Sequence, residues 1–371
     1  MSDIIVMKFP PFFTKKQIDS IKLVNPDIFI FDEDFVADIS EFNFSDSIFY
    51  LDFGKKFNKS LKYIKLPKYL KKIKLSDDYT QSLDYVVFPD TIEIMEFGNI
   101  FDNSLFTTIL PKNLKELIFN NNNFNSALPQ VLPEKLEKLV LNMFFDFSLN
   151  NFVIPQNLKY LKVNGKIGNK VFLNNLPDTI EHIELSDLYF KFKCNYPKLK
   201  TLIVRKNSKK IVLNNKCNKL KYLTCSGNSI NFDFLNNLPE SVEKIEIARD
   251  LSVNLANLPN NLSELIINIE PTQIFNNNVF LNWGQGANNP NFNNNAMNQV
   301  PQQIQPLNQQ QNKKDEYPDN FIKQTNLPIG LKTLRLYDVK LLKFFEKIPF
   351  DCSIVNLEGV PFEEVVKNVM N

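Results

Sequence analysis

One histidine, one tryptophan and nine glycines are all that 371 residues provide. So little glycine leaves no phosphate-cradling G-x-x-x-x-G-K-[ST] loop and no G-x-G-x-x-G turn. The lone His182 excludes H-E-x-x-H and every other His-paired metal motif. The four cysteines, Cys194, Cys217, Cys225 and Cys352, contain no C-x-x-C pair and no zinc-ligand spacing. They read as free thiols of a reducing compartment, which gives an intracellular, cytoplasmic expectation. A long apolar run is missing, so membrane insertion is not expected. The N-terminus lacks a basic region followed by such a run, so a cleaved secretory leader is not expected either. Net charge is only +2, and no global field selects nucleic acid or an anionic surface. No enzyme signal stands out, and no cofactor is expected.

What the sequence does have is a ruler. PKYLKKIKL begins at Pro67, PDTIEIMEF at Pro89, PKNLKELIF at Pro111 and PEKLEKLVL at Pro133. PQNLKYLKV follows at Pro155 and PDTIEHIEL at Pro177, each step being 22 residues. Further copies start at Pro197, Cys217, Pro239 and Pro259, and two more at Pro328 and Pro349. One step upstream, SDSIFYLDF at Ser45 keeps the register without its proline, and Phe29 and Phe31 fall on the beat of a half copy. The phrase is P-x-x-L-x-x-L-x-L. Its last two apolar sites lie two apart, so a strand sends both to one face. Proline suits the strand entry, where no ladder hydrogen bond is donated. The small or polar residue that follows, such as Gly54, Ser76 or Gly98, favours a turn.

One such unit cannot bury its apolar side alone, so copies must stack. The expected fold is mainly β: a solenoid with one short parallel strand per rung of about 22 residues and short helical caps. The return path carries FNKSL at Phe57, FDNSL at Phe101, FNSAL at Phe124 and FDFSL at Phe145, whose aromatics and leucines should fill the second edge of the core. Residues 1–44 form an N-terminal cap, with Thr14 capping a helix over about 15–24 whose apolar residues are Ile18, Ile21 and Leu23. The solenoid proper spans 45–274. Residues 275–318, rich in Asn, Gln and Pro, read as a disordered insertion. Residues 319–371 resume the rungs, with a short helix at 340–347 and a terminal helix opened by Pro361.

An F-N-x-x-L segment followed by L-P-x-x-L-x-x-L-x-L at this period resembles the FNIP repeat. That is a leucine-rich-repeat relative found mainly in slime moulds and giant viruses of amoebae. The resemblance covers roughly 45–270 and 321–357. It implies a protein-binding scaffold and transfers no catalytic residue. No F-box is read in the fewer than 45 residues before the first copy.

Stacking turns positions into columns. The residue after the first apolar site runs Lys71, Glu93, Lys115, Glu137, Lys159, Glu181, a sign-alternating ladder that breaks at Lys200 and Lys221. Opposite charges across adjacent strands favour pairing and like charges oppose it, so this ladder should hold register. Two further columns should point away from the core. Their candidate partner-facing members are Tyr50, Lys72, Lys138, Tyr160, His182, Tyr222 and Lys244 in one. In the other they are Lys74, Ile118, Val140, Lys162, Glu184, Ile203 and Glu246. His182 is then an exposed residue of that face, without the nucleophile a general base would need. An unidentified protein partner is the expected ligand of this face. Two other readings stay open. Eleven basic residues and no acid between Lys191 and Lys221 suit an anion or nucleic acid. Self-assembly through the insertion or an open edge is the third.

Overall fold

A computed structural model describes residues 4–121, 126–129, 131–142, 153–164, 175–188, 192–208, 211–213, 216–226, 235, 237–248, 255, 257–269, 327–345 and 347–362. The chain divides into two compact units, 1–220 and 221–371.

The first unit opens with strand β1 (Val6–Phe9) and helix α1 (Lys15–Val24). Gln17 reaches back to accept the backbone N–H of Thr14 at 2.8 Å, which closes the helix start. Asn25 ends it in the left-handed conformation, φ 48°. Ile21 is buried, but Leu23 is 86% exposed rather than turned to the core. Two residues on a helix are about 200° apart, so both cannot face inward. The strand β1 was not anticipated; it pairs in parallel with β2 (Ile28–Phe31).

From there one strand arrives per rung: β3 (Tyr50–Asp52), β4 (Lys72–Lys74), β5 (Ile94–Phe97), β6 (Glu116–Phe119), β7 (Lys138–Asn142), β8 (Tyr160–Asn164) and β9 (His182–Leu188). β10 (Phe192–Cys194) and β12 (Ile211–Leu213) pair with each other on the return side. β11 (Thr201–Ser208) pairs with β9. Every pairing is parallel, and Leu51, Ile73, Met95, Leu117, Leu139, Leu161, Ile183 and Leu202 form one buried column.

The entry residues Leu70, Ile92, Leu114, Leu136, Leu158 and Ile180 are buried beneath that column. In each of these rungs the entry residue's backbone N–H donates to the proline carbonyl three residues earlier, as in Leu70 to Pro67 at 3.2 Å. The proline therefore sets a turn that delivers the next leucine inward. Phe57 and Phe101 are fully buried on the return side. With Phe35 and Tyr79 they make an aromatic stack, centroids 6.1, 6.2 and 6.3 Å apart in sequence. Phe124 and Phe145 lie outside the described residues. Gly98 is required by close approach: a Cβ there would meet the Ser76 carbonyl oxygen at 1.9 Å.

The second unit repeats the pattern with β13 (Tyr222–Ser226), β14 (Lys244–Ala248), β15 (Glu264–Asn268), β16 (Thr333–Leu336) and β17 (Ser353–Asn356), again all parallel. β15 and β16 pair directly, Leu265 beside Leu334, although the chain between them includes the long Asn/Gln segment. The ladder is unbroken between these two strands, and the length of chain between paired elements adds little closure entropy. The helix expected at 340–347 is a 3₁₀ helix, Val339–Phe344, with Asp338 accepting from the Lys340 backbone N–H at 2.9 Å. The insertion at 275–318 and the terminal helix after Pro361 fall outside the described residues.

All four cysteines are buried. Cys217 donates to Cys194 across 3.3 Å, and that contact, with burial, holds the Cys194 thiol well above its usual range. Burial alone raises Cys225, and it pushes Cys352 up to about 11. Thiolate is the reactive form, so these thiols are protected at neutral pH. A thiol-specific disulfide reagent should therefore find no fast-reacting cysteine in the native protein at pH 7.5, and four after denaturation without reductant. A rapidly labelled native thiol would contradict the packing.

Candidate interaction face

The sheet face opposite the core is built from the two remaining columns. Register places Tyr50, Lys72, Ile94, Glu116, Lys138, Tyr160, His182 and Thr201 in line. Asp52, Lys74, Glu96, Ile118, Val140, Lys162, Glu184 and Ile203 form the second line. Within the second unit Tyr222, Lys244 and Glu264 stand in one line, and Thr224, Glu246 and Ile266 in another.

This face is less open than the sequence suggested. Its residues are mostly half-buried, and Asp52, Val140 and Glu184 are less than a tenth exposed. Strands about 4.8 Å apart let long side chains lie over their neighbours. The charges are also largely engaged with each other. Lys74 reaches Asp52 at 3.3 Å, and Tyr50 donates its hydroxyl to the same carboxylate at 2.9 Å. Lys72 approaches Glu96 at 3.5 Å and lies over the Tyr50 ring. Lys138 pairs with Glu116 at 2.9 Å. Glu184 takes Lys162 at 3.2 Å and Arg205 at 3.0 Å. In the second unit Glu264 takes Lys244 at 2.8 Å and Arg335 at 2.5 Å. Burial pushes the Glu264 carboxyl up, but its two cationic hydrogen-bond partners outweigh this and hold it below the usual range. These lateral pairs were missed, although Glu116–Lys138, Lys162–Glu184 and Lys244–Glu264 are adjacent opposite charges in the columns themselves.

Among the uncharged residues of the first unit's face, five adjoin one another in a strip: Ile118 beside Val140, then Tyr160, His182 and Ile203. His182 stacks flat on Tyr160, centroids 4.2 Å apart and planes 7° from parallel. It is half-buried rather than the exposed histidine expected, because the neighbouring rung brings an aromatic ring over it. Its Nε2 has no hydrogen-bond partner. Burial lowers the imidazole pKa; the Lys162 charge adds to this and the Glu184 charge opposes it. Burial also raises the Tyr160 hydroxyl, with help from the Glu184 charge.

The outer ladder lies at the strand entries. Glu93 bridges Lys71 at 2.9 Å and Lys115 at 2.7 Å, and those hydrogen bonds pull its carboxyl down to about 2. Glu137 pairs with Lys159 at 3.0 Å and Glu181 with Lys200 at 2.7 Å. In the second unit Lys221 pairs with Glu243 at 2.7 Å. The sign alternation breaks between Lys200 and Lys221, and the two compact units divide at the same point. Of the basic stretch 191–221, Lys200, Arg205 and Lys221 are thus already bound to acids. Among the described residues no group of three or more His, Cys, Asp or Glu could hold a metal ion. No described helix is long and apolar enough to cross a membrane.

Residues 57–100 match the FNIP Repeat family model. The likeness read from the sequence holds. No curated protein matches the chain. The structure is similar to that of CroV588, a circular LRR protein of a giant virus, with a TM-score of 0.50 and 18% identity. The match covers 96% of this chain and 50% of CroV588, so the chain spans about half that protein's length. It shows the fold alone: a leucine-rich-repeat-like solenoid, with FNIP rungs at least over 57–100.

His182 is the only histidine, so its titration is read without assignment. A pKa below the unfolded value of about 6.5 means that the unfolded chain binds the proton first. The stack then loses stability as pH falls below 6.5. The imidazole proton resonances should show a midpoint below 6.5; a midpoint at or above it would contradict the stacked, desolvated placement.

Proposed function

We propose that the chain is a non-enzymatic scaffold, acting inside cells, that binds a protein through the sheet face opposite its core. The observation that carries this reading is the strip Ile118, Val140, Tyr160, His182 and Ile203. It is an apolar and aromatic run bordered by charges that satisfy one another. Such a centre with a polar rim is how protein interfaces are built. Paired rim charges such as Lys138–Glu116 and Lys162–Glu184 are already ordered, so a partner would meet a pre-organised surface. The outer ladder has a separate role in this reading: it holds rungs in register, because opposite charges favour the pairing and like charges oppose a slip.

The anion-binding alternative loses support because Lys200 and Arg205 are held by Glu181 and Glu184.

The test is Ile118→Lys, which puts a charge in the strip on a half-buried side chain. Proteins captured from the native source by wild type should be lost with Ile118→Lys and kept with the ladder variant Lys159→Gln, all three having unchanged circular dichroism. Affinity should fall by about 10-fold or more. Equal capture by all three would remove the face from consideration, and capture that collapses with modest salt would favour the charged alternative.

A further inference from the structure

We propose that a second copy of this chain docks on the outer edge of the first unit, along the row Val87, Ile109, Val131 and Val153. This surface is distinct from the sheet face. Each of the four stands two residues before its rung's proline. They are 80, 83, 65 and 59% exposed. Their rungs are stacked in register here too: Val131 and Val153 form a parallel bridge. Residues just after the prolines are tied across rungs, with Thr91 donating to the Lys68 carbonyl and Asn113 to the Asp90 carbonyl. Four aliphatic side chains, one every ~4.8 Å, make a continuous apolar line in water. Beside Val87 and Ile109 runs a groove of about 440 Å³, walled by Leu83, Tyr85 and Thr107. A contiguous exposed apolar patch of this kind marks an interface.

The charges beside the row identify the occupant. Three residues further along each rung runs a parallel column: Lys68, Asp90, Lys112, Glu134, Gln156 and Asp178, all exposed. Turn this column end for end about a two-fold axis crossing between the Ile109 and Val131 rungs. Lys68 then meets Asp178, and the Lys112–Asp90 ion pair of one chain, 3.2 Å long, sets Lys112 against Glu134 and Asp90 against Gln156 of the other. No like charges face each other. The same rotation sets Val87 on Val153 and Ile109 on Val131, apolar against apolar, and brings the second copy's aliphatic side chains to the groove. An isologous dimer needs a surface complementary to its own reversal, and this one is. Three acids in the column also speak against an anionic membrane as the occupant.

Within one chain Lys68 and Asp178 are five rungs apart, about 24 Å, and cannot touch. This gives the decisive experiment, sedimentation equilibrium of the full chain over a concentration series. Wild type should dimerise. Ile109→Glu changes a mostly exposed side chain, so the fold should persist by circular dichroism while the dimer constant weakens by about 100-fold. Lys68→Glu and Asp178→Lys should each weaken the dimer, and the double variant should recover most of the loss. A wild type monomeric at 100 µM (about the top of the series), a dimer indifferent to Ile109→Glu, or a charge swap without recovery would each overturn the proposal.

Discussion

A single rung of this chain leaves two needs unmet. Its strand of three to eight residues carries backbone donors and acceptors on both flanks, and its leucines form an apolar row on one side. Neither can be satisfied within about 22 residues. The neighbouring rung meets both at once, because a parallel ladder in phase places leucine on leucine in the same step that closes the hydrogen bonds. Everything else in each unit follows from keeping that phase. Proline sets the entry turn, Gly98 lets rungs approach, and the return-side aromatics fill the edge that the strands leave open.

Charge is used in two places with the same rule. At the strand entries, exposed lysines and half-buried glutamates alternate from rung to rung, and Glu93 holds one lysine on either side. On the face opposite the core the pairs are less exposed, as at Asp52, Glu184 and Glu264. A slip by one rung would set Lys115 beside Lys71 in place of Glu93, like against like, while a slip by one residue would turn leucines to water. The two penalties act on different errors. Together they specify one stacking.

Much of this was legible from spacing alone. The 22-residue step fixes which residues become neighbours, so the columns of the sheet could be written down before any coordinates. The short helix after Thr14 was legible through its cap. Three features were not. Strand β1 lacks the proline phrase, and its sequence VMKF has no repeat to announce it. The lateral ion pairs of the face were present in the columns but were read one residue at a time. The exposed row from Val87 to Val153 was hidden by its company: two apolar residues precede each of these four prolines, and the sequence does not say that only the second turns inward. Phe88, Leu110, Leu132 and Ile154 are buried while their immediate predecessors are exposed. Residues alternate sides along an extended segment, so one of each pair had to face out.

The central claim is that rungs are interchangeable units held by phase. Removing residues 89–110 excises 22 residues and joins Phe88 to Pro111, one whole rung. Removing 89–99 excises half of one. The whole-rung deletion should keep β-type circular dichroism and a cooperative thermal transition; the half-rung deletion should lose both. Equal tolerance of the two deletions, or equal collapse, would contradict the account.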